Sequence, residues 1–174
     1  MLPTAAEIAA TALFAVATAT DLRSRRIPNA FTYPAILIAP VLAVMEDGTA
    51  GLASAGLAVV VTTLPFVLLF ATFGGIGGGD VKLLAASALL LRFPVAFDVL
   101  FAGLIVAVAF LAVRWGAVTA ERWVGSGGAA TEGGQVSVTS PLPRVVAFAP
   151  CLAVGFVWVR VAALFDLPGP SVLL

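Results

Sequence analysis

Six apolar runs, most of them long enough to cross a bilayer, account for most of this chain of 174 residues. A hydrocarbon core about 30 Å thick needs about 20 apolar helical residues, and backbone groups in lipid must pair internally. We place these spans at roughly residues 3–20, 30–45, 51–73, 81–93, 95–115 and 143–165. Glu46-Asp47-Gly48 is expected to form a tight turn after the second span with its acids solvated, and Glu7 is expected to reach water or headgroups. The composition agrees, because 61% of the residues are hydrophobic and 10% are charged, against roughly 45–50% and 25% in soluble domains. The sequence predicts an all-α integral membrane bundle of about six transmembrane helices, forming a single domain over residues 1–174.

The distribution of basic residues predicts how the bundle is oriented. Cytoplasmic loops of membrane proteins carry an excess of Lys and Arg. Arg92 and Arg160 lie on one predicted side, whereas the other side holds Arg23, Arg25, Arg26, Lys82, Arg114, Arg122 and Arg144. We therefore expect a multi-pass protein of the cytoplasmic (inner) membrane with its N-terminus outside. Residues 116–142, rich in Gly, Ser and Ala, are expected to form a flexible cytoplasmic loop.

Net charge and missing residue types exclude several classes of function. The formal net charge is zero, so no basic field indicates a nucleic-acid partner, and membrane lipids are the expected surroundings. Histidine is absent, which excludes Ser-His-Asp and Cys-His catalysis and the HExxH zinc site. The single cysteine, Cys151, can form neither an intramolecular disulfide nor a CxxC zinc motif. We expect no metal and no cofactor, and carboxylates are the remaining groups for proton transfer.

Two aspartates stand out by their position relative to the spans. Asp21 follows span 1, Asp80 precedes span 4, and the two crossings between them return the chain to the same side. Two neighbouring carboxylates share one proton, so that one can activate water while the other polarises an amide carbonyl. The helix termini favour an anionic Asp80 and a neutral Asp21, although the arginines after Asp21 oppose the second effect. The pair is therefore a candidate acid and base.

The glycine-rich sequence GGIGGGDVK at residues 74–82 lies directly before span 4. It lacks the GKS or GKT ending of a phosphate-binding loop. Two interpretations stay open: a structural turn that lets helices approach closely, or an active-site loop along which a substrate backbone lies beside Asp80. The residues of this candidate loop are Gly77, Gly78 and Gly79.

Several polar residues near the two aspartates have a structural and a functional interpretation. Lys82 either anchors span 4 at the lipid headgroups or contacts substrate or a lipid phosphate. Arg23 either sets the topology or makes the same kind of contact. Pro28 and Asn29 are expected to break the first turn and to cap span 2.

Two motifs of this chain, in their order and spacing, resemble those of the type IV prepilin peptidases, which are membrane aspartyl proteases of the GxGD class. The sequence Gly77-Gly78-Gly79-Asp80 is followed by VKLL, and Asp21-Leu22-Arg23 leads into the triplet IPN at residues 27–29. The resemblance is strongest to the short form associated with Tad/Flp pili. It implies that Asp21 and Asp80 are catalytic, and that the substrate is the leader peptide of a prepilin or pseudopilin, cut at the cytoplasmic face ahead of its hydrophobic helix. The final span looks like the family's Pro- and Gly-containing last helix, with Ala149 where a glycine is common.

The longer members of this family carry an insert with paired CxxC zinc motifs, linked to methylation of the new N-terminus. This chain has one cysteine and no such insert. We therefore predict an aspartic endopeptidase without N-methyltransferase activity.

Two rival functions come from other classes. A small ion-coupled transporter also uses intramembrane acids beside a broken helix, but typically places them near mid-bilayer and has a broken helix in each half. A non-catalytic scaffold accounts for the spans and leaves the paired aspartates unexplained.

Overall fold

The computed structural model describes residues 4–24, 27–73, 78–126 and 148–165. Within these ranges the regular structure is helical and includes no strand, which confirms the predicted all-α class. A π-helical turn, Val59–Thr63, joins the second and third helices. The α-helices are α1 (Ala5–Ser24), α2 (Asn29–Ala58), α3 (Leu64–Phe73), α4 (Gly78–Leu91), α5 (Val95–Ser126) and α6 (Phe148–Leu164).

Three stretches of the described helices are long and apolar enough to cross a membrane: Ala5–Ser24, Asn29–Leu68 and Val95–Val113. Helix α6 is apolar but shorter. Helix α4 has 14 residues, about 21 Å at 1.5 Å per residue, which is less than the hydrocarbon core. Its leucines and alanines are buried on most sides, as expected of a helix enclosed by its neighbours. The core of the bundle is therefore built around α4.

Helix α2 changes direction at Gly48, the last residue of the predicted turn between spans 2 and 3. Gly48 has φ of 62°, a left-handed conformation that glycine adopts without the Cβ clash of other residues. A Cβ atom built at Gly51 would collide with the carbonyl oxygen of Ala43. Residues that far apart in a straight helix are separated by about 12 Å, so the chain folds back on itself at Gly48.

Ion pairs tie several helix ends together at one end of the bundle. Arg92, which follows α4, pairs with Glu46 and Asp47 beside the Gly48 turn. Arg160 of α6 pairs with Glu7 in the first turn of α1. These acids were expected to be solvated, and the structure instead gives each an arginine partner. We call these five residues the ion-pair cluster.

The ion-pair cluster fixes which helix ends lie together. The start of α1, the end of α4 and the C-terminal part of α6 meet there, so the end of α1, the start of α4 and the start of α6 lie at the other end. Asp21 and Asp80 belong to that second group. The fold thus brings the two aspartates to the same end of the bundle.

Helices α5 and α6 pack with their backbones in direct contact. A Cβ atom built at Gly155 would lie 2.6 Å from the backbone nitrogen of Gly103 and 2.7 Å from the carbonyl oxygen of Val99. Small residues at such crossings are common in membrane helices because they let backbones approach. On the other side of α6, the rings of Phe156 and Phe14 have centroids 5.2 Å apart, which packs α6 against α1.

Part of the predicted flexible loop at 116–142 is helical. Helix α5 continues through Ser126, because residues 117–124 include the helix-favouring Ala, Glu and Arg and the glycine-rich stretch starts only at 125. Residues 127–142, together with Arg144, lie outside the described residues.

Candidate active site

Asp21 continues the buried face of α1. The buried residues of this helix recur three or four positions apart, through Phe14 and Ala17 to Asp21, which places them on one side of the helix. Asp21 is 8% exposed, and its Oδ2 atom has no hydrogen-bond partner in the described part of the chain. One turn earlier, the buried Oγ1 atom of Thr18 is also unpaired. Buried polar atoms are normally satisfied, so this face of α1 has unused capacity to bind a water molecule or a substrate.

Asp80 lies in the first turn of α4, one residue ahead of the predicted fourth span. Burial, together with the smaller effect of the nearby charge of Asp21, raises the pKa of its carboxyl group from 3.8 to about 6. The direction is opposite to the helix-terminus expectation of an anionic Asp80, because loss of solvation and repulsion by a like charge outweigh the terminus effect. Asp21 and Asp80 are therefore close enough to interact electrostatically, and Asp80 retains its proton under mildly acidic conditions.

The two sequence motifs contact each other at the ends of α1, α2 and α4. A Cβ atom built at Gly79 would lie 3.4 Å from Cβ of Ile27. The Nζ atom of Lys82 donates a hydrogen bond to Oδ1 of Asn29 at 3.1 Å and lies 5.0 Å from the centroid of the Tyr33 ring. These contacts hold the first turn of α4, and with it Asp80, against the start of α2.

The prediction that Pro28 and Asn29 cap the second span is wrong about the role of Asn29. Pro28 occupies the N-cap position and Asn29 is the first residue of α2, with no side-chain capping bond. The amide oxygen of Asn29 instead accepts a hydrogen bond from Lys82. Lys82 thus has a described role in joining two helices, and its contact with substrate or lipid stays a prediction.

The predicted glycine loop is partly helical. Gly78 and Gly79 form the first turn of α4, where the backbone N–H groups have no acceptor within the helix. Gly77 lies outside the described residues, as do Arg25 and Arg26. Arg23 lies in the last turn of α1 and is exposed.

The start of α6 also approaches Asp21. Cys151 is close enough to Asp21 for the two groups to interact electrostatically, and it lines a cavity together with Leu22. Sequence reasoning considered Cys151 only as a disulfide or zinc ligand and missed this position. The number of predicted spans could have indicated it. Four crossings separate the end of span 1 from the start of span 6, and an even number of crossings returns the chain to the same side. The contact between Asn29 and Lys82 had no comparable signal in the sequence.

Comparison with models of known families gives one match. Residues 8–113 match the model described as the type IV leader peptidase family. No curated protein and no solved structure matches the chain. The matched range covers more than half of the chain and includes both aspartates and Lys82.

Proposed function

Because this chain belongs to the type IV leader peptidase family, we propose that it is an aspartic endopeptidase that cleaves the leader peptide of type IV prepilins or pseudopilins. The observation that carries the proposal is the juxtaposition of Asp21, buried with an unpaired oxygen, and Asp80, whose pKa is raised in part by Asp21. Two carboxylates in unequal surroundings can hold one shared proton. That is the state required of a general acid and base acting on an amide.

In the proposed reaction, Asp21 accepts a proton from a water molecule while the water oxygen attacks the scissile carbonyl carbon. Asp80 donates its proton to the carbonyl oxygen, which gives a tetrahedral diol and avoids a free oxyanion. Asp21 then passes its proton to the amide nitrogen, the carbon–nitrogen bond breaks, and a hydroxyl proton of the diol returns to Asp80. The products are a new carboxylic acid and a free amine, and the pair regains its starting protonation.

We propose six membrane crossings, with the N-terminus outside and the aspartates at the cytoplasmic face of the inner membrane. The reversal of α2 at Gly48 supports two crossings within that helix. Arg23 and Lys82 lie at the same end as the aspartates, whereas Arg92 and Arg160 belong to the ion-pair cluster at the other end. This distribution agrees with the excess of basic residues expected on the cytoplasmic side.

The proposed activity is proteolysis alone, as in the short form associated with Tad pili. The chain contains one cysteine and therefore cannot build the paired CxxC motifs of the longer, methylating members. A purified enzyme that methylated the new N-terminus of a processed pilin would refute this part of the proposal.

The test is co-expression with candidate prepilins, followed by mass determination of the mature N-terminus. Asp21→Asn and Asp80→Asn are each expected to slow cleavage by about 100-fold or more. Asp98→Asn is the matched control, because Asp98 is another buried helical carboxylate, 6% exposed, that lies near the ion-pair cluster. It is expected to retain processing. Size-exclusion chromatography in detergent shows whether each variant is folded. Retained cleavage in a folded Asp21→Asn or Asp80→Asn variant would refute the mechanism.

A further inference from the structure

An apolar groove runs along α5 and α6 toward Asp21. It consists of two adjoining cavities of about 240 and 270 Å³ that share Val106 and Val154. The first cavity is also lined by Leu22, Phe110, Pro150 and Cys151, and the second by Ala102, Ile105 and Trp158. We call this surface the α5–α6 groove.

The lining residues form one stripe on each of the two helices. On α5 the stripe extends from Ala102 to Phe110, and on α6 from Cys151 to Trp158, so the groove is about 10–12 Å long and parallel to the helices. The backbone contact at Gly103 and Gly155 lies beside it and holds the two helices at a fixed separation. The shape of the groove is therefore set by the packing of α5 against α6.

One end of the α5–α6 groove lies beside the candidate catalytic pair. Leu22, which lines that end, directly follows Asp21 in α1. Cys151 lines the same end and interacts electrostatically with Asp21. The groove thus ends next to Asp21, and neither cavity has a charged residue in its lining.

We propose that the α5–α6 groove binds the apolar segment of the protein substrate that adjoins its scissile peptide bond. The proposal rests on the proposed peptidase function and specifies how the substrate is held. The groove has the length of about two helical turns, and each cavity is larger than the 150 Å³ that holds a benzene ring. An apolar helix laid along it would insert side chains three, four or seven residues apart. The position of the groove beside Asp21 favours a peptide occupant over lipid, because a segment bound there holds its adjoining peptide bond near the proposed catalytic carboxylates, whereas an acyl chain has no bond for them to act on.

The test uses two valines of α6 that differ in position relative to the groove. Val154 is shared by both cavities and is 51% exposed, whereas Val157 lies outside the groove lining and is 59% exposed. Val154→Trp fills the groove, and Val157→Trp adds the same bulk elsewhere on α6. Each variant is given a full-length prepilin and a short leader peptide that ends soon after the scissile bond and lacks the apolar segment.

Val154→Trp is expected to lower kcat/KM for the full-length prepilin by about tenfold, the effect of losing one apolar pocket contact, through a higher KM. The short peptide is expected to be cleaved by Val154→Trp as by the wild type, and Val157→Trp is expected to match the wild type on both substrates. Equal cleavage of the full-length prepilin by the two variants would refute the proposal and leave lipid as the occupant. An equal loss on both substrates in Val154→Trp would refute it as well, because the defect would then lie in the catalytic pair.

Cross-linking provides a second, independent measurement. Cys151 is 7% exposed, whereas Val154 lines both cavities and is 51% exposed, so the cross-linking cysteine is placed at Val154 in a Cys151→Ala background. A cysteine in the apolar segment of the substrate is expected to form a disulfide with Val154→Cys under mild oxidation and not with Val157→Cys. Absence of the adduct from every position of the segment would contradict the proposal. Failure of the wild type to cleave either substrate would instead refute the peptidase function.

Discussion

The contact between α5 and α6 makes a graded prediction about three glycines. A methyl group at Gly155 would meet only backbone atoms, at 2.6 Å from the nitrogen of Gly103 and 2.7 Å from the carbonyl oxygen of Val99. A methyl group at Gly103 would first meet Cδ2 of Leu152 at 2.9 Å, which is the movable end of a side chain. A methyl group at Gly56 in α2 would have no atom within 4 Å. Alanine substitution should therefore have three different effects.

The expected magnitudes follow from two opposing contributions. Replacing glycine by alanine inside a helix stabilises it by about 0.5–1 kcal/mol, and overpacking a well-packed contact costs about 1–3 kcal/mol. Gly56→Ala receives only the first contribution and is expected to stabilise the protein. Gly103→Ala is expected to be mildly destabilising, because Cδ2 of Leu152 can move aside but Cα of Leu152 at 3.1 Å and the carbonyl oxygen of Cys151 at 3.3 Å are backbone atoms. Gly155→Ala is expected to lower the free energy of unfolding by about 1–2 kcal/mol, since backbone atoms cannot move aside without separating the helices.

The assay is unfolding of the purified protein in mixed micelles of increasing denaturing detergent, followed by the fluorescence of its three tryptophans. The predicted order of transition midpoints is Gly56→Ala, wild type, Gly103→Ala and then Gly155→Ala. A Gly155→Ala protein at least as stable as the wild type, measured beside a stabilised Gly56→Ala protein, would show that the two backbones do not touch.

Two further predictions concern the position and protonation of the catalytic pair. Lys82→Met removes the hydrogen bond to Asn29 and the ring contact with Tyr33. Together these contacts contribute about 1–2 kcal/mol at this partly exposed site. The variant is expected to lower kcat about tenfold with little change in KM. Lys82→Arg should recover much of that loss, and equal activity of the Met and Arg variants would exclude a positioning role. The value of kcat/KM is expected to fall as the pH rises through about 6, because ionisation of Asp80, whose pKa is raised to that value, removes the proton destined for the carbonyl oxygen. A rate that does not change between about pH 5 and 8 would contradict this protonation scheme.

Hydropathy was sufficient to predict the helical class. Counting the apolar runs was sufficient to predict that Asp21 and Asp80 lie at the same end of the bundle. The turn before span 3 was also readable, because Gly48 follows two acids between apolar runs. Local sequence was therefore enough wherever the outcome depended on hydrophobicity and on the conformational freedom of one glycine.

The remaining errors concern contacts between residues that are distant in the sequence. The helix-terminus argument for an anionic Asp80 considered one helix, whereas its burial depends on neighbouring helices and on Asp21. The capping role predicted for Asn29 did not consider Lys82, which lies in another helix and donates a hydrogen bond to the same amide oxygen. Cys151 was overlooked because its importance comes from the packing of α6 beside α1. Each of these outcomes is decided by tertiary packing, which overrides the local preference of a residue.

The ion-pair cluster has a mechanical consequence for the other end of the molecule. Its ion pairs tie the end of α4 to the turn in α2 and α6 to α1, and a hydrogen bond from the backbone N–H of Ala6 to Glu46 joins the two groups, so these helices share a common pivot. From Glu7 to Asp21, α1 rises by about 21 Å, and it acts as a lever arm of that length. A tilt of about 5° around the pivot would displace Asp21 by about 2 Å along such an arm, comparable to the change in separation that two carboxylates need to admit a water molecule. Such a tilt would change the separation of Asp21 and Asp80 while the opposite end of the bundle stays fixed.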